Sequence, residues 1–169
     1  MAVATFNLAQ GQRAERKLLI TVAEWTEGNE QVREILGTRT EDSSIEYNPD
    51  IETTTDILGI NYTDMNRTQP QQDFDPFLIL GGSKLGPKLN DIRSRNALSE
   101  LGQFTIYIIT AFVGTAGSYA AEKHTGCTIA YNSIGGDSNV NFPISVYYSN
   151  NITNGTVDKL SDDFEFTPA

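Results

Sequence analysis

Residues 104–113 read FTIYIITAFV, ten positions with no charged side chain. Apolar groups fall at odd and even positions alike. A strand built from this run has no polar face, so it must be covered on both sides. Two coverings fit equally well: a central core position beneath the chain's helix, or an outer face closed by another subunit. Periodicity does not separate them. The run is about half the length of a membrane-spanning helix.

Outward from this run, toward the C-terminus, most of the chain reads as β. A strand starts at Gly117 and runs to about Tyr131. Residues 132–139, with Gly135-Gly136-Asp137, have the composition of a hairpin loop. Val140, Phe142, Ile144, Val146 and Tyr148 then alternate with polar positions, the period of a half-buried strand. Asn154-Gly155 reads as a turn into a last short strand, and residues 158–169 as an acidic surface tail or arm.

Toward the N-terminus, the best helix spans about Pro87 to Leu101. Pro87 suits its first position and Gly102 its C-terminal stop. Leu85, Leu89 and Ile92 share a face, whereas Ala97, Leu98 and Leu101 rotate away from it. Leu18 to Trp25 reads as a largely buried strand, Glu27-Gly28-Asn29 as a turn, and Val32 to Leu36 as a second strand. Residues 1–16 are polar after Phe6 and Leu8 and read as an arm. No repeat or linker divides the chain, so 1–169 is expected to be a single mainly β (α+β) domain with one α-helix.

Residues 38–77 hold the chain's acidity. Nine carboxylates, Glu41, Asp42, Glu46, Asp50, Glu52, Asp56, Asp64, Asp73 and Asp75, lie between Glu41 and Asp75, where Arg67 is the one base. Ile51, Thr53, Thr55 and Ile57 alternate with Glu52, Thr54 and Asp56, which is strand spacing. Ser44 to Tyr47 is placed to pair with that strand across Asn48-Pro49-Asp50. Asn61 to Asp75 shows little periodicity and reads as a long loop, which in a compact domain is functional or ordered by a partner.

The whole chain narrows the function. Its 169 residues are 38% hydrophobic and 20% charged, a globular composition. A net charge of −10 and a pI near 4.4 exclude a groove that grips nucleic-acid phosphates. One cysteine, Cys127, allows no intramolecular disulfide. The opening MAVATFNLAQGQRAERK lacks an apolar signal core, so a soluble product made in a cytoplasm is expected, with no membrane partner. The sequons at Asn61, Asn66, Asn151 and Asn154 are then Asn/Thr-rich turns and strands.

Candidate chemistry is sparse. Gly81-Gly-Ser-Lys-Leu-Gly86 has the glycine spacing of a phosphate loop, but Pro87 stands where the phosphate-reaching lysine belongs, and it lacks an amide donor. His124 and Cys127 form an H-x-x-C pair without further ligands, and on a regular strand their odd separation puts them on opposite faces. The carboxylates match no EF-hand loop, and no aromatic platform beside them suggests a glycosidase. No nucleophile stands in an elbow or triad context. The expectation is a non-enzyme with no cofactor and no metal. A β-sandwich adhesion module, binding carbohydrate or calcium, is the alternative class.

Two phrases carry a resemblance. ILGTRTEDSSIEYNPDIETTTDILGINYTDMNRTQPQQDFDPF (35–77) and AEKHTGCTIAYNSIGGDSNVNFPISVYYSNNITNGTV (121–157) resemble major tail tube proteins of long-tailed phages and prophages of Gram-positive bacteria. The likeness runs from about Lys17 to Val157. It implies a β-sandwich or barrel-like fold with one flanking helix. It also implies hexameric rings stacked into a virion tail tube for genome ejection, with tape-measure and terminator or initiator proteins as partners. DNA would pass through unheld, as like charge repels phosphate. On this reading residues 38–77 and the arm make ring-to-ring contacts, with Gln69, Pro70, Gln71, Gln72, Asp73, Phe74 and Asp75 as the contact residues.

Overall fold

The structure, a computed structural model, describes residues 3–169, so the first two residues of the expected arm lie outside it. In chain order the strands are β1 (Leu19–Glu27), β2 (Glu30–Ile35), β3 (Ile45–Glu46), β4 (Asp50–Thr55), β5 (Asn61–Arg67) and β6 (Gln71–Phe74). The helix α1 (Leu85–Arg95) follows. Then come β7 (Phe104–Thr115), β8 (Ser118–Tyr131), β9 (Ile144–Tyr147), β10 (Ile152–Val157) and β11 (Phe166–Pro168). The fold is mainly β, all its pairings are antiparallel, and it carries one α-helix, as expected from the sequence.

The sheet order is β2-β1-β7-β8-β9-β6-β3, with β10 and then β11 added beside the first half of β8. One strand therefore belongs to two layers. Tyr119 to His124 of β8 pair with β10, and Thr128 to Tyr131 pair with β9. The change of partner falls at a bulge. Phe104 of β7 faces Cys127 and Ile106 faces His124, so two steps on β7 match three on β8. Gly126 sits inside the bulge at φ 74°, a backbone geometry that favours glycine.

The bulge also corrects the expected placement of His124 and Cys127. The extra residue resets the alternation, and both side chains turn inward, 3% and 0% exposed. The Cys127 thiol points back to the His124 carbonyl at 3.5 Å, and burial raises its pKa. His124 packs edge-on to Tyr148 and contacts the Glu122 carboxylate at 3.1 Å.

β7 is buried on both faces. Phe104, Ile106 and Ile108 join the main core, with Leu85, Leu89 and Ile92 of α1 and Phe74, Ile144 and Val146 of the second layer. Tyr107 and Ile109 enter a second cluster with Val22, Ala121, Val157 and Phe164. The outer cover is thus the chain's own C-terminal segment. Residues 158–169 do not form a free tail, since Phe164 is 2% exposed and β11 pairs with β10. The Arg33 guanidinium donates to the Phe164 carbonyl and lies 4.2 Å from its ring centroid. Arg33 is itself held by Glu24 at 2.5 Å. The expected turn at Asn154-Gly155 lies instead within β10. Gly155 is required because a Cβ there would collide with the Thr167 carbonyl and the Phe166 ring.

The helix ends earlier than its expected limit at Leu101. Asn96 adopts a left-handed conformation (φ 53°), its amide bonds to the Arg93 carbonyl, and the Ala97 amide reaches the Ile92 carbonyl. This closing pattern satisfies the last carbonyls and turns the chain. Leu98 to Gly102 form a separate 3-10 turn, which explains why Leu98 and Leu101 fall off the helix stripe. α1 starts at Leu85, two residues before Pro87.

Residues 61–75 are not a loop. β5 pairs with β4, whereas β3 pairs with β6, so Ser44 to Tyr47 do not fold onto residues 51–57. β6 lies between β3 and β9. Phe74 is in the core, and Gln72, 1% exposed, links the two layers. Its Oε1 accepts from Thr21 Oγ1 of β1 (3.0 Å) and from the Tyr148 hydroxyl (2.7 Å), and its Nε2 donates to Ser43 Oγ (3.1 Å).

Two outcomes follow. Deleting Gln69–Asp75 removes a core strand, so circular dichroism should find an unfolded or aggregated chain in place of a folded subunit. In the Tyr107 hydroxyl, burial and then the Glu24 carboxylate push the pKa up to about 12. A pKa raised on folding means stability is intact below the unfolded value near 10 and declines as pH rises toward 12. Tyr107→Phe should flatten part of that decline in melting temperature, leaving the share due to Tyr148, whose pKa burial also raises.

Candidate assembly surface

β4 and β5 form a two-stranded sheet that pairs with no other described strand. Apart from Asp56, every residue from 50 to 67 is exposed. None of them enters either hydrophobic cluster. The local sequence explains the hairpin. Thr53 opposes Thr63, and their hydroxyls lie 3.3 Å apart, while Thr55 Oγ1 donates to Asn61 Oδ1 at 2.6 Å. β-Branched residues of this kind favour an exposed pleated ribbon.

The tip is set by Asp56. Its Oδ1 accepts from the amides of Leu58 (2.8 Å) and Ile60 (3.0 Å), and its Oδ2 accepts from the Tyr62 hydroxyl. The Ile60 and Leu58 amides and the Tyr62 hydroxyl hold the Asp56 carboxyl below its usual pKa. The turn thereby holds Ile57 (102% exposed) and Leu58 (77%) outward at the end of the hairpin. Ile51, Ile60, Tyr62 and Met65 are exposed as well. At the root, the Gln69 amide donates to the Tyr47 carbonyl and Asn48 Nδ2 to the Gln69 carbonyl, so the ribbon leaves the body through a short neck.

The contact segment expected from the sequence lies next to this ribbon, in the body. Gln69 is at the neck, and the Pro70 carbonyl accepts from the Tyr148 amide. Gln71 Nε2 donates to Asp73 Oδ1, which also accepts from Ser145 Oγ. Asp75 Oδ1 accepts from Asn141 Nδ2. Gln72 and Phe74 are buried within the chain and offer no surface to a neighbour. The alternation of residues 51–55 marks β4 in the sequence, but its partner is β5 (Asn61–Arg67) and not Ser44 to Tyr47.

The larger layer also has open edges. Among the described residues, β2 pairs only with β1 and β11 only with β10. Pro168 blunts the β11 edge, since it offers no amide.

The phosphate-loop-like segment is already occupied by an anion of the chain. The Glu34 carboxylate of β2 accepts from the Lys84 and Leu85 amides, the latter at 2.7 Å. The Gly86 amide is taken by Ser83 Oγ. These are the donors a phosphate would need. Among the described residues, no three His, Cys, Asp or Glu side chains converge as a metal site. Among the described residues, no helix is long and apolar enough to cross a membrane.

No known family profile matches the sequence, and no curated protein does. Among solved structures, the chain is similar to a component of the sheath–tube complex of an extracellular contractile injection system in its extended state. That pair is 12% identical and covers 87% of this chain and 94% of the other, with a TM-score of 0.47. It is also similar to a component of the tube-terminating cap of the anti-feeding prophage, with 16% identity, 92% and 99% coverage and a TM-score of 0.49. A component of the anti-feeding prophage baseplate gives 7% identity, 87% and 97% coverage and a TM-score of 0.46. None of the three is described as coming from a Gram-positive host, and they assign no role to any residue of this chain.

Asp56→Ala should release two tip amides without touching the body. Hydrogen exchange at Leu58 and Ile60 should then accelerate by about tenfold or more, with core amides of β7 unchanged.

Proposed function

We propose that the protein is a structural subunit of a tail tube, assembling with copies of itself into hexameric rings that stack into a conduit for the genome. The observation that carries this reading is the β4–β5 hairpin. A lone two-stranded ribbon is marginal in water, and this one holds six large apolar side chains in solvent. The body has two clusters of its own and does not use them. Such a ribbon is completed by a surface outside the subunit. The resemblance of residues 17–157 to tail tube proteins supports the same reading and names the kind of assembly.

On this proposal the open β2 and β11 edges are where neighbours in a ring meet, and tape-measure and terminator or initiator proteins are the further partners. The role is architectural and not catalytic. Net charge −10 favours a conduit that repels phosphate, so DNA passes without being held. The product is a virion tail component made in the host cytoplasm.

Negative-stain microscopy and sedimentation over a concentration range test this. Rings or tubes of uniform bore are expected, with or without an added initiator complex. The variant Ile57→Asp/Leu58→Asp, altered only at exposed tip positions, should melt within about 2 °C of the wild type yet remain monomeric. A tip variant that builds normal tubes rules out the hairpin as the assembly arm.

A further inference from the structure

The hairpin needs a receiving surface, and the chain carries a groove with exposed cations beside it. Between the N-terminal segment and the β2–β3 connection lies a groove of about 440 Å3. Arg16 and Lys17 stand on its rim, and the part-buried Ile20 and the buried Leu36 and Phe74 form its apolar lining. Exposed Arg39 lies between the lining residues Thr38 and Thr40. Glu41 is the one carboxylate in the lining, and exposed Asp42 lies between the lining residues Glu41 and Ser43.

The charges here are not spent within the subunit. The run Arg13-Ala-Glu-Arg-Lys17 holds three cations to one anion, in a chain of net charge −10. The Arg16 guanidinium donates to two backbone carbonyls, of Leu19 and Ser43, which leaves its charge unneutralised. Lys17 pairs with Glu15 at 3.0 Å, but both side chains are largely in solvent, where such a pair is weak. Among the described residues, no carboxylate forms an ion pair with Arg13 or Arg39.

The hairpin is the complement. Residues 50–67 carry Asp50, Glu52, Asp56 and Asp64 against Arg67. Asp50 has Arg67 at 3.7 Å, and Asp56 is used by the tip. Glu52 and Asp64 are directly opposed across the two strands. Like charges in that position are unfavourable unless a cation meets them. Beyond them the ribbon ends in the apolar pair Ile57 and Leu58. Six strand residues extend about 20 Å, long enough to cross to a neighbour.

We propose that this groove receives the β4–β5 hairpin of a second copy of the chain, Glu52 and Asp64 meeting Lys17 and Arg39 while Ile57 and Leu58 cover the apolar lining. The contact is heterologous, with donor and acceptor on different surfaces. Each subunit offers its hairpin while its own groove is filled, so association continues from copy to copy. This inference rests on the assembly reading above and names the surface that completes it.

Charge exchange in the full-length chain tests it. Lys17→Glu/Arg39→Glu makes hairpin and groove both acidic, and Glu52→Lys/Asp64→Lys makes both basic. Each variant alone should need about tenfold or more protein for half-assembly. An equimolar mixture of the two, and a single chain carrying all four substitutions, should each return to within about threefold of the wild type. Wild-type assembly should weaken between about 50 mM and about 500 mM salt. If the wild type assembles but neither the mixture nor the four-site variant recovers, with all chains folded by circular dichroism, the hairpin docks elsewhere and the groove assignment is overturned. If the wild type itself never associates, the assembly reading falls, and this inference with it.

Discussion

Gly126 opens β8 at one point, and the architecture is organised around that opening. Two residues of β8, Thr125 and Gly126, are matched there to one of β7, Thr105, so the strand bends and changes partners from β10 to β9. One continuous strand then serves both layers, and the layers share one main core instead of packing as separate sheets. The same phase change turns His124 and Cys127 inward together, under Tyr148. Gln72 then ties the layers across that core by accepting from Thr21 and Tyr148. Buried polar groups are tolerated when each finds a partner, and this linkage meets that condition while holding β6 in place.

Two parts of the chain solve the problem of apolar surface differently. On the outer face of the large layer, the chain covers itself. Phe164 sits on Tyr107 and Val22, and its carbonyl and ring are held by Arg33. The hairpin has no such cover. Its order is local, from the Asp56 turn and the threonine pairs, and its apolar tip is presented to solvent. A body that closes its own core beside a ribbon that cannot is the physical basis for reading the ribbon as an assembly element.

The carboxylates between Glu41 and Asp75 divide along the same line. Asp73 and Asp75 accept hydrogen bonds that hold β6 and its continuation to the body. Asp56 organises a turn. Glu52 and Asp64, both exposed, oppose each other across β4 and β5. One acidic stretch thus holds structural anchors, a turn-former and exposed carboxylates. Their shared carboxylate chemistry gave no way to sort them along the sequence.

Local pattern was enough for the elements whose environment is set by their own residues. The double-sided apolarity of residues 104–113 required a strand covered twice, and the alternation from Val140 to Tyr148 marked a strand that forms over Ile144–Tyr147. Leu85, Leu89 and Ile92 marked a helix face. Partner choice was not legible, because backbone hydrogen bonds carry no side-chain label. Ile45-Glu46 pairs with β6 and not with its neighbour across Asn48-Pro49, and the sparse pattern of residues 71–74 hid a core strand. Glu34 capping α1 from fifty residues away, Phe164 closing the outer face, and Gly155 passing beneath Phe166 all depend on contacts between distant segments. Only the tertiary structure decides these, because burial and close approach are properties of what the folded chain brings together.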